Sequence, residues 1–214
     1  IKEYAKKEMG LIKELSKQIG KWIFAINLPF LILILCFPEA IINLIFGAEY
    51  LPGANALRFL SIGLFFYSLA QVSQQHLPMA GKSKHILFNL IVASILNFIL
   101  NLFLIQKYGI SGAAFATMIS YFFWGVITVA EARYYTSILP LKRKMLSILI
   151  VSIIPLLIIL YLKNRIPTTT ISLILQGTFF VLLYFILLFL TKCFDENDLN
   201  IIRKFKLKLK IKKN

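Results

Sequence analysis

Six long apolar runs, at roughly residues 22–46, 54–78, 86–106, 111–135, 145–162 and 171–191, leave this chain little to fold into except a membrane bundle. A bilayer core about 30 Å thick takes about 20 apolar residues at a rise of 1.5 Å each, and every run is near that length. In lipid each backbone amide must find its partner within its own segment, so the runs are read as helices. The expected fold class is all-α: a polytopic membrane protein with six transmembrane helices. The hydrophobic fraction of 59% leaves no polar stretch large enough for a separate water-soluble domain between the runs.

Charge orders the helices. Threading six spans puts residues 1–21, the turn around Lys82 and Lys84, the loop from Arg133 to Lys144 and the residues from Lys192 onward on one side. Twenty of the 24 Lys and Arg lie on that side, against Arg58, Lys107, Lys163 and Arg165 on the other. Basic loops are retained in the cytoplasm during insertion, so both termini are expected there, in the cell membrane, beside anionic lipid. A net charge of +15 also suits nucleic acid, but no binding motif accompanies it, and nucleic acid is excluded as a partner. Cys36 and Cys193 fall at different depths, which argues against a disulfide between them, and no cysteine or histidine spacing suits a metal. No cofactor is expected.

Four stretches follow. Residues 1–20 space Ile1, Tyr4, Ala5, Met9, Ile12, Leu15 and Ile19 as a cytoplasmic amphipathic helix. Residues 21–137 hold four spans with polar faces, and residues 138–192 hold two nearly pure aliphatic and aromatic spans, read as a peripheral pair. Residues 193–214 form a basic tail whose lysines alternate with apolar residues.

Polar groups at membrane depth are costly unless paired or wetted, so they mark candidate sites. Gln71, Gln74 and Gln75 lie near Ser61 and Ser68 on the second span, and Asn89, Asn97 and Asn101 share one face of the third. Their amides suit sugar hydroxyls or phosphate, or equally hydrogen bonds between helices. Arg58 opens the second span on the sparsely charged side. It offers a bidentate fork to a phosphate, or an ion pair to Glu39 or Glu49. Glu39, Glu131 and Arg133 are the gating or ion-coupling candidates; Glu131 with Arg133 reads as an ion pair at the cytoplasmic end of the fourth span. No catalytic constellation appears, neither Gly-x-Ser-x-Gly nor a phosphate-binding loop, so an enzyme is not expected. Gly112 and Ala116 form a small-xxx-small pair that admits a close neighbouring helix.

The segment Phe46-Gly47-Ala48-Glu49-Tyr50 with Ala56-Leu57-Arg58, the turn Gly81-Lys82-Ser83-Lys84, and Asn97, Asn101 and Tyr108-Gly109-Ile110-Ser111-Gly112-Ala113-Ala114-Phe115-Ala116-Thr117 form an ordered series. That series, over about residues 22–135, resembles the polysaccharide branch of the multidrug/oligosaccharidyl-lipid/polysaccharide exporter superfamily. The resemblance implies a two-lobe transporter of which this chain, beginning at Ile1, holds the last four helices of the second lobe and an appended pair. It implies a flippase moving polyprenyl-diphosphate-linked oligosaccharide by alternating access, coupled to Na+ or H+. Membrane lipids and other polysaccharide assembly proteins are the further partners it implies. Two other readings stay open: a cation-coupled multidrug exporter of the same superfamily, and a membrane polymerase or ligase acting on polyprenyl-linked sugar.

Overall fold

The computed structural model describes residues 2–140, 142–165, 169–191 and 193, with side-chain surroundings from Gly10 onward. The basic tail of the sequence reading and the side chains of residues 2–9 lie outside the described set. Among these residues seven α-helices and one 3-10 turn follow in order: α1 (Lys2–Cys36), α2 (Pro38–Ile45), the turn Ala48–Gly53, α3 (Ala54–Gln74), α4 (His76–Met79), α5 (Ser83–Thr136), α6 (Lys144–Arg165) and α7 (Thr170–Leu190). Among the described residues there is no strand, and five helical stretches are long and apolar enough to cross a bilayer.

The fifty-four residues of α5 are far too many for one crossing, and the helix is two helices joined at Gly109, whose φ of 56° and ψ of −133° break the helical path. That backbone region is almost closed to residues with a Cβ. The chain reverses there. Asn97 reaches Thr117, Asn89 reaches Glu131 and His85 reaches Tyr135, each pair straddling Gly109 nearly symmetrically. Limbs 83–108 and 110–136 therefore form an antiparallel hairpin, and among the described residues six segments are long and apolar enough to cross a bilayer. Gly112 serves this reversal, because a Cβ on it would collide with the carbonyl of Leu104. The small residue expected to admit a neighbouring helix thus admits the facing limb of its own hairpin.

Proline punctuates the first span. Pro38 cannot donate to the helix before it, so α1 stops at Cys36 and α2 starts afresh. Lys163 of α6 donates from Nζ to the freed Cys36 carbonyl at 2.6 Å, a cation at a helix C-terminus. Pro29 sits inside α1 and leaves the carbonyl of Ala25, four residues earlier, without its helical donor. Tyr184 of α7 supplies the missing donor at 2.8 Å. Two helices thus dock onto α1 at backbone acceptors exposed by proline chemistry.

The amphipathic stretch at the N-terminus continues into the first span as one uninterrupted helix. Its apolar positions Leu11, Leu15 and Ile19 face outward, while Ser16, Gln18 and Lys21 are buried against the protein. Lys21 is 1% exposed and donates to the Cys193 carbonyl.

Two layers share α1. On one side Phe24, Leu28, Ile32 and Phe37 interdigitate with Ile148 and Ile159 of α6 and with Phe180, Tyr184 and Leu188 of α7. On the other, α3 packs against the α5 hairpin through small residues. A Cβ on Gly63 would come within 2.9 Å of the Met118 Cα, and one on Gly125 within 3.3 Å of the Ala70 Cβ. Such backbone approach is how helices associate in lipid, where no hydrophobic force drives them together. The basic residues gather at one end of the bundle: Lys142 approaches Glu14 at 3.9 Å, and Lys82 lies over the Tyr135 ring. The opposite end carries Arg58, Lys107, Lys163 and Arg165, as the threading requires.

Candidate functional site

Where α3 leans against the hairpin, the two limbs do not close over it, and a cleft of about 560 Å³ remains. Its floor is polar: Gln74 from α3, Ser94 and Asn97 from the first limb, Thr117 and Ser120 from the second. Its wall is aromatic. Tyr67 stacks on Trp124 with centroids 4.8 Å apart and 28° between planes, and meets Tyr121 at 4.9 Å. The rings can pair in this way because Ala70 and Ala93, both buried, leave room beneath Trp124.

The amides of the floor are pre-positioned by each other. Asn101 donates to the Asn97 side-chain oxygen at 2.9 Å, Asn97 donates to Thr117 Oγ1 at 3.3 Å, and Thr117 donates to the carbonyl of Ala113 at 3.0 Å. This chain of bonds crosses from one limb to the other and holds acceptor and donor groups at a fixed height. Asn101 Oδ1 is buried and takes no hydrogen bond in this network. Among the described residues no Lys, Arg, Asp or Glu lines the cleft. An uncharged floor of amides and hydroxyls beside stacked rings suits a neutral, hydroxyl-rich group with apolar faces.

The sequence candidates distribute unevenly over this geometry. Asn97 and Gln74 line the cleft, and Asn101 supports Asn97 from behind. Gln71 is half-buried and Gln75 exposed, and neither lines it. Arg58 stands at the other end of α3, where its guanidinium donates to Glu39 at 2.7 Å and to Asn55 at 2.6 Å. The fork expected for a phosphate is spent on a carboxylate of α2, which ties α2 to α3. Glu39 accordingly reads as the partner of Arg58 at an exposed ion pair.

Glu131 and Arg133 do not pair with each other. Two residues apart on one helix, their side chains diverge. Glu131 turns into the hairpin, 3.0 Å from His85 Nδ1 and 2.6 Å from the Asn89 amide. Arg133 lines a different, apolar groove of about 680 Å³ with Phe66, Leu69, Phe122 and Val129.

Several contributors escape a reading of the sequence. Asn27 of α1 donates to Ser68 at 2.9 Å beside a smaller cleft between α1 and α3. A lone Asn in an apolar run marked it, but its partner is visible only in three dimensions. Nothing in the sequence sets Tyr67 and Trp124 apart from the other aromatic residues of the spans; their stacking is visible only in the fold.

Comparison with known proteins follows the same outline. Residues 2–103 match the family MatE. The chain is 28% identical over 186 residues to an uncharacterized membrane protein of Methanocaldococcus jannaschii, covering 85% of this chain and 36% of that one. A second uncharacterized membrane protein of that organism is 32% identical over 132 residues, covering 59% and 30%. A probable low-salt glycan biosynthesis flippase of Haloferax volcanii, Agl15, is 30% identical over 109 residues, covering 51% and 22%. The chain therefore spans about a third or less of the length of these relatives. No solved structure matches it.

Proposed function

We propose, on the premise that residues 2–103 make this chain a member of the MatE family within the multidrug/oligosaccharidyl-lipid/polysaccharide exporter superfamily, that it is part of a flippase for lipid-linked oligosaccharide. The observation that carries the reading is the cleft between α3 and the α5 hairpin. Sugar rings present hydroxyls at their rims and C–H groups on their faces. The amides and hydroxyls of Gln74, Asn97, Thr117 and Ser120 meet the first, and the Tyr67–Trp124 stack meets the second.

The neutrality of the cleft assigns a division of labour. It takes sugar and leaves the diphosphate to groups elsewhere in the full-length transporter, while the polyprenyl tail stays in lipid. The sequence similarity to a probable glycan flippase from Haloferax volcanii supports the same substrate class. With the basic end toward the cytoplasm, the oligosaccharide enters there and leaves at the end marked by Glu39 and Arg58. Alternating access then requires the cleft to open first to one end and then to the other.

Export of small cationic drugs is the competing reading. An aromatic wall suits a flat cation, but such a site wants a carboxylate to match the charge, and none of the described residues lining the cleft is one. Catalysis on the lipid-linked sugar is a poorer fit, since the matching family is one of transporters.

Reconstitution decides between them. Full-length protein in proteoliposomes is expected to move a fluorescent polyprenyl-diphosphate oligosaccharide between leaflets. Trp124→Ala is expected to slow it about tenfold, which corresponds to about 1.4 kcal/mol. Export of ethidium with no movement of the lipid-linked sugar would refute the proposal.

A further inference from the structure

The contact between α3 and the second limb of the hairpin has two faces, and only one opens on the polar cleft. The cleft uses Thr117, Ser120, Tyr121 and Trp124 of that limb, while the apolar groove of about 680 Å³ uses Phe122, Val126, Val129 and Arg133. At 100° per residue these two sets lie on nearly opposite sides of one helix. The groove therefore runs along the back of the site, in the seam between the two layers. Gly20 of α1, Met145 of α6 and Pro140 of the connecting loop border it at its basic end.

Small residues keep the groove open. Ala70 and Gly125 are buried at its floor, and a Cβ on Gly125 would come within 3.3 Å of the Ala70 Cβ. Nothing rises from that contact to fill the space above. Phe66, Phe122 and Val126 stand exposed along it, with Leu69 between the layers. Protein side chains leave this seam unfilled on the surface that faces lipid.

Length limits what the groove can hold. On the second limb it runs from Phe122 to Arg133, eleven residues on, or about 17 Å at 1.5 Å each. Half of a bilayer core about 30 Å thick is about 15 Å. Phe122 stands near the middle of limb 110–136 and Arg133 in its last turn. The groove is thus one leaflet deep, on the side that the charge pattern assigns to the cytoplasm.

Its two ends differ in kind. The deep end is aromatic. The shallow end carries Arg133, whose exposed guanidinium makes no hydrogen bond or ion pair with a described residue, and exposed Tyr134 beside it. Among the described residues no Asp or Glu lines the groove, and Glu14 on α1 is engaged by Lys17 and Lys142. A guanidinium without a partner offers its fork to phosphate, and basic pockets between helices on the cytoplasmic side take anionic headgroups.

We infer that the groove is a binding site for one anionic glycerophospholipid of the cytoplasmic leaflet, with a hydrocarbon chain along Phe66, Leu69 and Val126 and its phosphate on Arg133. The polyprenyl tail of a lipid-linked sugar fits less well. It overruns a groove that stops at mid-membrane, and its diphosphate brings more charge than one guanidinium answers. The bound lipid fills the seam and joins the two layers, so it stabilises the folded bundle by mass action. The site stands apart from the cleft and does not rest on the glycan reading.

No transport is measured in the test, so its failure is separable from that of the flippase. Full-length protein, delipidated in a neutral detergent, is titrated with phosphatidylglycerol or phosphatidylcholine and followed by native mass spectrometry and thermal melting. One phosphatidylglycerol is expected to bind in preference to phosphatidylcholine and to raise the melting temperature. R133Q should weaken phosphatidylglycerol about tenfold and leave phosphatidylcholine unchanged. The comparison of the two lipids separates headgroup binding from the favourable place of a cation in the last turn of a helix. K84Q removes an exposed cation outside the groove, and should alter either affinity by no more than about twofold. A130W fills the groove from its exposed rim and should abolish saturable binding of both lipids. Equal losses in R133Q and K84Q, or undiminished binding in A130W, would overturn the site. Displacement of phosphatidylglycerol by equimolar polyprenyl phosphate would reassign the groove to the substrate and overturn it as well.

Discussion

The two layers that share α1 are built on opposite principles. Toward α6 and α7, large side chains such as Phe24, Phe37, Phe180 and Tyr184 fill the space between helices. Toward α3 and the α5 hairpin, Gly63, Gly125, Ala70 and Ala93 bring backbones close at a few points, and the rest of the surface stands apart as an open polar cleft. In lipid both are held by close packing, since burial of apolar surface from water contributes nothing between helices. The difference lies in where the polar groups go. In the first layer Tyr184 closes the backbone gap at Ala25; in the second the amides and hydroxyls face a space. One layer is a brace and the other a site.

Substitutions break or sharpen that contrast in order of expected size. Phe180→Ala removes a ring that is 1% exposed at the centre of the brace and should cost on the order of 3 kcal/mol, read as a fall in melting temperature in detergent. The affinity of whatever protein remains folded for the lipid-linked sugar should be unchanged. If affinity fell with stability, the two layers would not be separable. Gly109→Val forces a β-branched residue into a backbone region reserved for glycine. It should cost about 2 kcal/mol and spread the distance between labels on the two limbs.

Tyr184→Phe comes next. It leaves the Ala25 carbonyl, orphaned by Pro29, without a donor at membrane depth, and should cost about 1–2 kcal/mol. A double variant that also replaces Pro29 by Ala restores the helical amide, and should recover part of the loss. No recovery would mean that the hydroxyl does something other than close the proline gap. Asn97→Ala should have the smallest effect on stability, about 0.6 kcal/mol as membrane hydrogen bonds go, yet should weaken sugar binding severalfold. Phe180→Ala and Tyr184→Phe thus act on stability on the α6 and α7 side of α1, while on the other side Gly109→Val acts on the hairpin and Asn97→Ala mainly on binding.

How much of this the chain announces follows from what each feature depends on. The six spans are legible because lipid demands length and apolarity, both local properties. The breaks at Pro38 and Gly109 sit at residues that punctuate any helix. The polar face of the third span was also legible, and Asn97 indeed lines the cleft with Asn101 behind it. What could not be read is pairing. Arg58 had a phosphate, Glu39 and Glu49 as prospects, and only the placement of α2 against α3 selects Glu39. Glu131 had a near neighbour in Arg133, but its partners come from the far arm of a hairpin, forty-two and forty-six residues back in sequence. Lys21, counted among the surface charges, is buried against the Cys193 carbonyl because α1 runs straight through the segment expected to lie on the membrane.

The central claim is that sugar occupies the space between α3 and the hairpin, and photo-crosslinking addresses it most directly. Benzoyl-phenylalanine placed at Ser94 or Thr117 of the full-length protein, in membranes containing a radiolabelled polyprenyl-diphosphate oligosaccharide, should capture the label on its sugar portion. The same probe at Ile154 or Phe179, exposed on the outer faces of α6 and α7, should capture none. Equal labelling at all four positions, or labelling on the α6 and α7 side alone, would contradict the account.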